Sequence, residues 1–227
     1  MQRHLFSLLL FFPFWAASNP IPFFVPPNEW ECIQPQKLDS YIQIAFLGKG
    51  QSDLRPSLNL AIEEVDLSLK EYLKSVREIH ENEMKVTWRD LGPFTFKSGK
   101  GRLAEITTPS PLGDVKMLQG ILVQDGFAYI LTGAVLKQEF SFWQTSLINA
   151  LHSLTIVPDL FSAINDPAQR SHLQETFLSF DHLNTKQDRQ TKWSSLQKTI
   201  QANFASMGSH WQILTLTEGH RRIFSEK

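Results

Sequence analysis

Apolar positions along this chain recur with two periods, and their order predicts the architecture. Ile42, Ile44 and Phe46 alternate with Tyr41, Gln43 and Ala45, which predicts a strand over 41–47. Leu58, Leu60 and Ile62 alternate with Asn59, Ala61 and Glu63 and predict a second strand. The period then changes to that of a helix. Ser68 and Glu71 form an S-x-x-E capping box, and Leu69, Tyr72, Leu73, Val76 and Ile79 make one apolar stripe. Lys70, Lys74, Arg77, Glu78 and Glu81 fall outside it. On this reading Leu73 is a core residue.

Three extended segments follow, 84–91, 102–107 and 115–123, with breaks expected at Gly92-Pro93 and at Pro109–Gly113. Asp125-Gly126 between alternating segments predicts a two-residue type I′ hairpin, because both positions must take φ > 0. Phe127–Val135 is the return strand. Phe140, Trp143, Leu147, Ala150, Leu151 and Leu154 then form a second helical stripe. The opening stretch 23–33 reads as extended and broken by proline, so it belongs at an edge or before a strand. Strands grouped between helices predict an α+β fold: a twisted antiparallel sheet flanked by helices, an α/β/α sandwich.

Beyond Pro158 the pattern becomes helical. Asp166-Pro167 can start a helix as cap and first helical residue. Trp193, Leu196, Ile200 and Phe204 share one face of a predicted helix over 186–205, and Trp211, Leu214, Ile223 and Phe224 lie in a last segment. The predicted organisation is 1–18 signal peptide, 19–157 α+β domain, and 158–227 C-terminal helical extension. The extension is read as packed on the main domain, with an independent interaction arm as the alternative.

The export reading rests on Arg3 and His4, an apolar run from Leu5 to Ala17, and small residues Ala16, Ala17 and Ser18 before a cut. The run falls short of the roughly 20 residues that span a bilayer, so no transmembrane span is expected after signal removal. The expected location is periplasmic or secreted. Cys32 is the sole cysteine, which excludes an intramolecular disulfide; it is expected to be a half-buried strand residue. No Asn-x-Ser/Thr sequon occurs, in keeping with a bacterial envelope. A formal net charge of −1 argues against a nucleic-acid binder.

Residues 22–155 resemble the PsbP-like fold family, which includes photosystem II PsbP subunits, DcrB-type envelope proteins and the Ran-binding factor Mog. The resemblance is carried by Pro27-Asn28-Glu29-Trp30, then Ser57-Leu58-Asn59-Leu60 leading into Ser68-Leu69-x-x-Tyr72-Leu73. Gly126-x-Ala128-Tyr129-Ile130-Leu131-Thr132-Gly133 and an aromatic-rich closing helix complete it. It implies an antiparallel sheet between helices and a role in binding or assembly, with no shared catalytic residues. The extension lies outside it.

No nucleophile elbow, zinc-protease, Cys-x-x-Cys or Walker A pattern is present. Gly48-Lys49-Gly50 and Gly99-Lys100-Gly101 read as turns, and Ser195-x-x-Lys198 lacks its companion motifs. His80-Glu81-Asn82-Glu83 with Glu63, Glu64 and Asp66, and the pair His172 and Glu175, fall short of a metal site. No catalytic residue, metal or cofactor is expected. Partner contacts are expected at Trp193, Trp211, His220, Arg221 and Arg222, with another envelope protein as partner. The expected function is an exported, non-enzymatic binding or assembly (adaptor) protein of the bacterial cell envelope. The alternatives are a hydrolase with an unrecognised site and a secretion-linked chaperone.

Overall fold

A computed structural model describes residues 20–33, 42–50, 52–82, 85–183 and 185–224. The expected signal peptide lies outside the described residues, as does Tyr41. The fold is α+β, with a seven-stranded sheet at its centre. Its strands are β2 (Glu31–Cys32), β3 (Ile42–Leu47), β4 (Ser57–Glu64), β5 (Thr87–Phe96), β6 (Gly99–Thr108), β7 (Val115–Gln124) and β8 (Phe127–Leu136). They lie in the order β2-β3-β4-β8-β7-β6-β5, each pair antiparallel. Asp125 and Gly126 take φ of 52° and 81°, so the β7–β8 turn has the expected geometry.

One face of the sheet carries the larger core. Leu58, Leu60, Leu118, Leu122, Tyr129 and Leu131 point there and meet α2 (Phe140–His152) through Leu147, Ala150 and Leu151. A Cβ added to Gly133 would stand 2.6 Å from Leu147 Cδ2, so the bare backbone of β8 lets α2 sit close. The opposite face carries α1 (Leu69–Glu81), with the capping box of Ser68 and Glu71 formed as expected. Its core is thinner: Ala61, Tyr72, Ile121, Ala128 and Ile130 are buried, with Leu69, Leu73 and Val76 only partly covered. Ile79 is 59% exposed, so the predicted stripe seals only in part and Leu73 is not a full core residue.

Helices α3 (Pro167–Leu178), α4 (Lys186–Asn203) and α5 (Gly208–Phe224) follow β9 (Thr155–Val157). β9, which the sequence reading did not anticipate, pairs with β1 (Ile21–Phe23) as a two-stranded sheet. Three residues between a helix and a proline are too short to show a period. Around this ribbon Phe23, Leu173, Phe177, Leu196, Ile200, Phe204 and Trp211 form a separate cluster. Next to Phe23, Phe24 belongs to the main core, and its N–H donates to His210 Nδ1 of α5 at 3.4 Å. Phe24 thus ties α5 to the sheet.

Two expected breaks are strand. β5 runs straight through Gly92-Pro93, because a bulge between Asp90 and Gly92 absorbs one residue and Gly92 takes φ 108°. Pro93 is tolerated because β5 is the edge strand, where a missing N–H faces no neighbour. Gly99-Lys100-Gly101 opens β6 rather than forming a turn, and the reversal falls at Lys97-Ser98. Cys32 is exposed on edge strand β2, not half-buried, because only β3 lies beside it. Burial of part of its side chain still pushes its thiol up from the ordinary value.

Candidate functional site

The outer half of the sheet, β6 and β5, extends past α1 on the helix-bearing face. The step leaves an open groove of about 560 Å³ lined by Leu69, Lys70, Leu73, Lys74, Arg77, Trp88, Asp90 and Arg102. Helical spacing supplies one wall: Lys70, Lys74 and Arg77 recur at i, i+4 and i+7, beside Leu69 and Leu73. Strand alternation supplies the other. Trp88 and Asp90 are two apart on β5, opposite Ile106 and Ala104, and Arg102 comes from β6 on the same face.

Asp90 and Arg102 are ion-paired across the strands. Burial raises the Asp90 carboxyl, but the hydrogen bonds from Arg102 and from the Gly92 N–H outweigh it, and the group is held below the usual carboxylate range. Arg77 pairs with Glu81 at 2.6 Å and Lys74 with Glu78 at 3.8 Å. Four cations and one carboxylate line the groove, and Glu78 and Glu81, outside the lining, pair with two of those cations. Trp88 Nε1–H and Arg102 Nε–H, on two of the lining residues, are themselves buried and unpartnered. A buried donor without a partner costs about 1–3 kcal/mol.

Further along the same face Asn59, Thr132, Gln119, Ala104 and Asp90 stand in register on five adjacent strands. Gln119 donates through Nε2 to Thr132 Oγ1 at 3.3 Å, and its buried Oε1 has no donor. A second concavity of about 580 Å³ lies on the other side, where Trp30 packs edge-on against Trp143 at 5.5 Å. Phe142 beside it is 69% exposed.

The expected contact residues of the extension do not form one surface. Trp211 is fully buried, and its Nε1–H donates to Leu160 O at 3.0 Å, so it has no face to offer a partner. Trp193 is half-buried and stacks edge-on against His220 at 5.1 Å. Arg221 and Arg222 both hydrogen-bond Glu218, at 2.7 Å in each case, and this pairing lowers the Glu218 carboxyl despite its partial burial. The guanidinium of Arg222 also lies 5.5 Å from the centre of the Phe177 ring.

Among the described residues no three His, Cys, Asp or Glu side chains converge as metal ligands. Glu63 is engaged by Tyr72, whose hydroxyl donates to it at 2.7 Å. His172 and Glu175 are exposed on α3; Glu83 lies outside the described residues. Ser195 and Lys198 are both exposed on α4. Among the described residues no helix is long and apolar enough to cross a membrane.

Trp88 and Arg102 were missed as site residues. The Lys70–Lys74–Arg77 spacing was visible, but nothing in sequence joins it to two strands that follow the helix.

No known family matches the sequence, and no curated protein matches it. Solved structures do. LpqN of Mycobacterium tuberculosis, involved in cell envelope biogenesis, superposes with a TM-score of 0.47 at 14% identity, over 62% of this chain and 86% of its own. The PsbP of the cyanobacterium Synechocystis gives 0.43 at 10% identity, over 61% and 93%. The Ran-binding protein Mog1p of Saccharomyces cerevisiae gives 0.38 at 12% identity, over 63% and 97%. PsbP and Mog are the proteins whose fold the sequence motifs resemble.

Proposed function

We propose that this chain is a non-enzymatic binding or assembly protein, exported to the bacterial cell envelope, that takes its ligand or partner in the groove between α1 and β5–β6. The observation that carries the reading is the groove lining, which sets Lys70, Lys74, Arg77 and Arg102 beside the apolar surface of Leu69, Leu73 and Trp88. Such a surface can hold an acceptor-bearing molecule by contacts already in place. The groove lining contains no serine, cysteine or histidine. Export rests on the Arg3–Ser18 pattern.

Native mass spectrometry of the protein purified from its producing cell tests this. A non-covalent adduct is expected under native conditions, absent after denaturation and depleted in Arg102→Met. A panel of chromogenic esters is expected to give no turnover above buffer. Turnover that scales with protein concentration and disappears on changing a described residue would make the chain an enzyme instead.

A further inference from the structure

We infer that the α1–β5 groove takes a single-chain amphiphile with an oxyanion head, a long-chain carboxylate or alkyl phosphate. The inference deepens the binding reading above and rests on it. The groove's two halves want different things from one molecule. Leu69, Leu73 and the indole face of Trp88 are apolar, and the stems of Lys70 and Lys74 extend that surface. A purely polar anion leaves them wet. The polar half presents cationic donors, the ammonium groups of Lys70 and Lys74 and the guanidinium groups of Arg77 and Arg102. A neutral chain leaves those donors unanswered, and a cation meets like charge.

An oxyanion supplies two or more acceptor oxygens on one centre, which suits a guanidinium fork and ammonium groups one helical turn apart. Asp90, the sole carboxylate in the lining, is already engaged by Arg102 and by the Gly92 N–H. It therefore holds Arg102 in place rather than filling the anion's role. The volume, about 560 Å³, is that of a small-molecule site, typically about 300–1,000 Å³. It is a single trough between one helix and one strand pair, which suits one chain rather than two. Each methylene buried along it should tighten binding about fourfold.

Isothermal titration of the full chain with sodium laurate, below its micellar concentration, tests the inference. Sodium octanoate, sodium acetate, dodecyl phosphate and dodecyl maltoside are the companion probes. The expected result is 1:1 binding of laurate and dodecyl phosphate, about fourfold loss per methylene removed, and no detectable heat with acetate. Trp88→Phe and Arg102→Met should each weaken laurate about tenfold while leaving the thermal midpoint within a few degrees. Trp88→Phe keeps an aromatic wall but loses the five-membered ring and the contact area it supplies. Should Arg102→Met fail to fold, Lys74→Met, at a cation 78% exposed on α1, tests the same head-group contact.

Acetate binding as tightly as laurate would overturn the amphiphile and leave the groove as an anion-binding surface. Maltoside matching laurate, with both variants silent, would overturn the oxyanion head and leave an apolar groove. Silence from every probe would overturn the inference, and an adduct in the native spectrum insensitive to Arg102→Met would then overturn the groove as the binding site too.

Discussion

His210 should make this protein acid-sensitive in a way that one substitution removes. The imidazole is 3% exposed, and its ring packs against Phe24 at 4.8 Å and Phe46 at 6.1 Å. Its Nδ1 accepts the Phe24 N–H, so the neutral ring carries its proton on Nε2. Burial alone lowers its pKa from 6.5 to about 3. In the unfolded chain the ring titrates normally, so between those two values the unfolded state binds the extra proton and stability falls as pH falls. The loss begins near pH 6.5 and levels off near 3. One pKa unit is worth about 1.4 kcal/mol, so moving from pH 7 to 4.5 removes about 2–3 kcal/mol. That is a large part of a typical 5–15 kcal/mol of net stability.

The assay is urea unfolding followed by tryptophan fluorescence, for the wild-type chain and His210→Asn, at half-unit steps from pH 7 to 4.5. Asparagine keeps an acceptor where Nδ1 stands and cannot titrate. Carboxylates titrate in both proteins, so the readout is the difference between them. His210→Asn should be the less stable protein at pH 7, and its deficit should shrink by about 2–3 kcal/mol by pH 4.5. A deficit constant across that range would refute the reasoning, since a ring with access to water has no reason to stay neutral.

Three further outcomes follow from packing. Gly133→Ala puts a methyl 2.6 Å from Leu147 Cδ2 at a fully buried leucine, and should cost about 1–3 kcal/mol by thermal or urea melting, with much of the loss recovered in the Gly133→Ala, Leu147→Val double variant. Trp211→Phe keeps most of the buried ring but leaves Leu160 O without its donor, and should cost about 1–3 kcal/mol in the same measurement. Leu73→Ala should lower stability by less than the roughly 2–5 kcal/mol of a full core leucine, because the side chain lines an open groove; a loss at the top of that range would mean that α1 lies closer to the sheet than described.

The fold was largely legible in the sequence wherever one local rule acted without competition. The β7–β8 hairpin followed from Asp125-Gly126, since few dipeptides reach φ > 0 at both positions without strain. The α1 cap followed from Ser68 and Glu71, which satisfy each other's backbone donors. The alternation of β4 set which of its residues face the larger core. Reading failed where a tertiary neighbour changed the meaning of a residue. Gly92-Pro93 signals a break in isolation, yet an edge strand has no outer neighbour to lose a hydrogen bond from, and a bulge absorbs the kink. Ile79 completes a stripe by spacing, but burial needs something opposite it, and at that end of α1 the side chain stays 59% exposed.

The tryptophans show the same division. Sequence put Trp193 and Trp211 together as contact residues because both sit in the extension, whereas packing around the β1–β9 ribbon hides Trp211 and leaves Trp193 half-covered. Sequence alone determined the order of elements, their periods and their caps, because those are written in neighbours a few residues apart. Only the tertiary structure decided which faces meet and which stay open. Trp88 and Arg102 lie on antiparallel strands beyond the helix that bears Lys70, Lys74 and Arg77, and it takes the sheet's register to bring them to one groove.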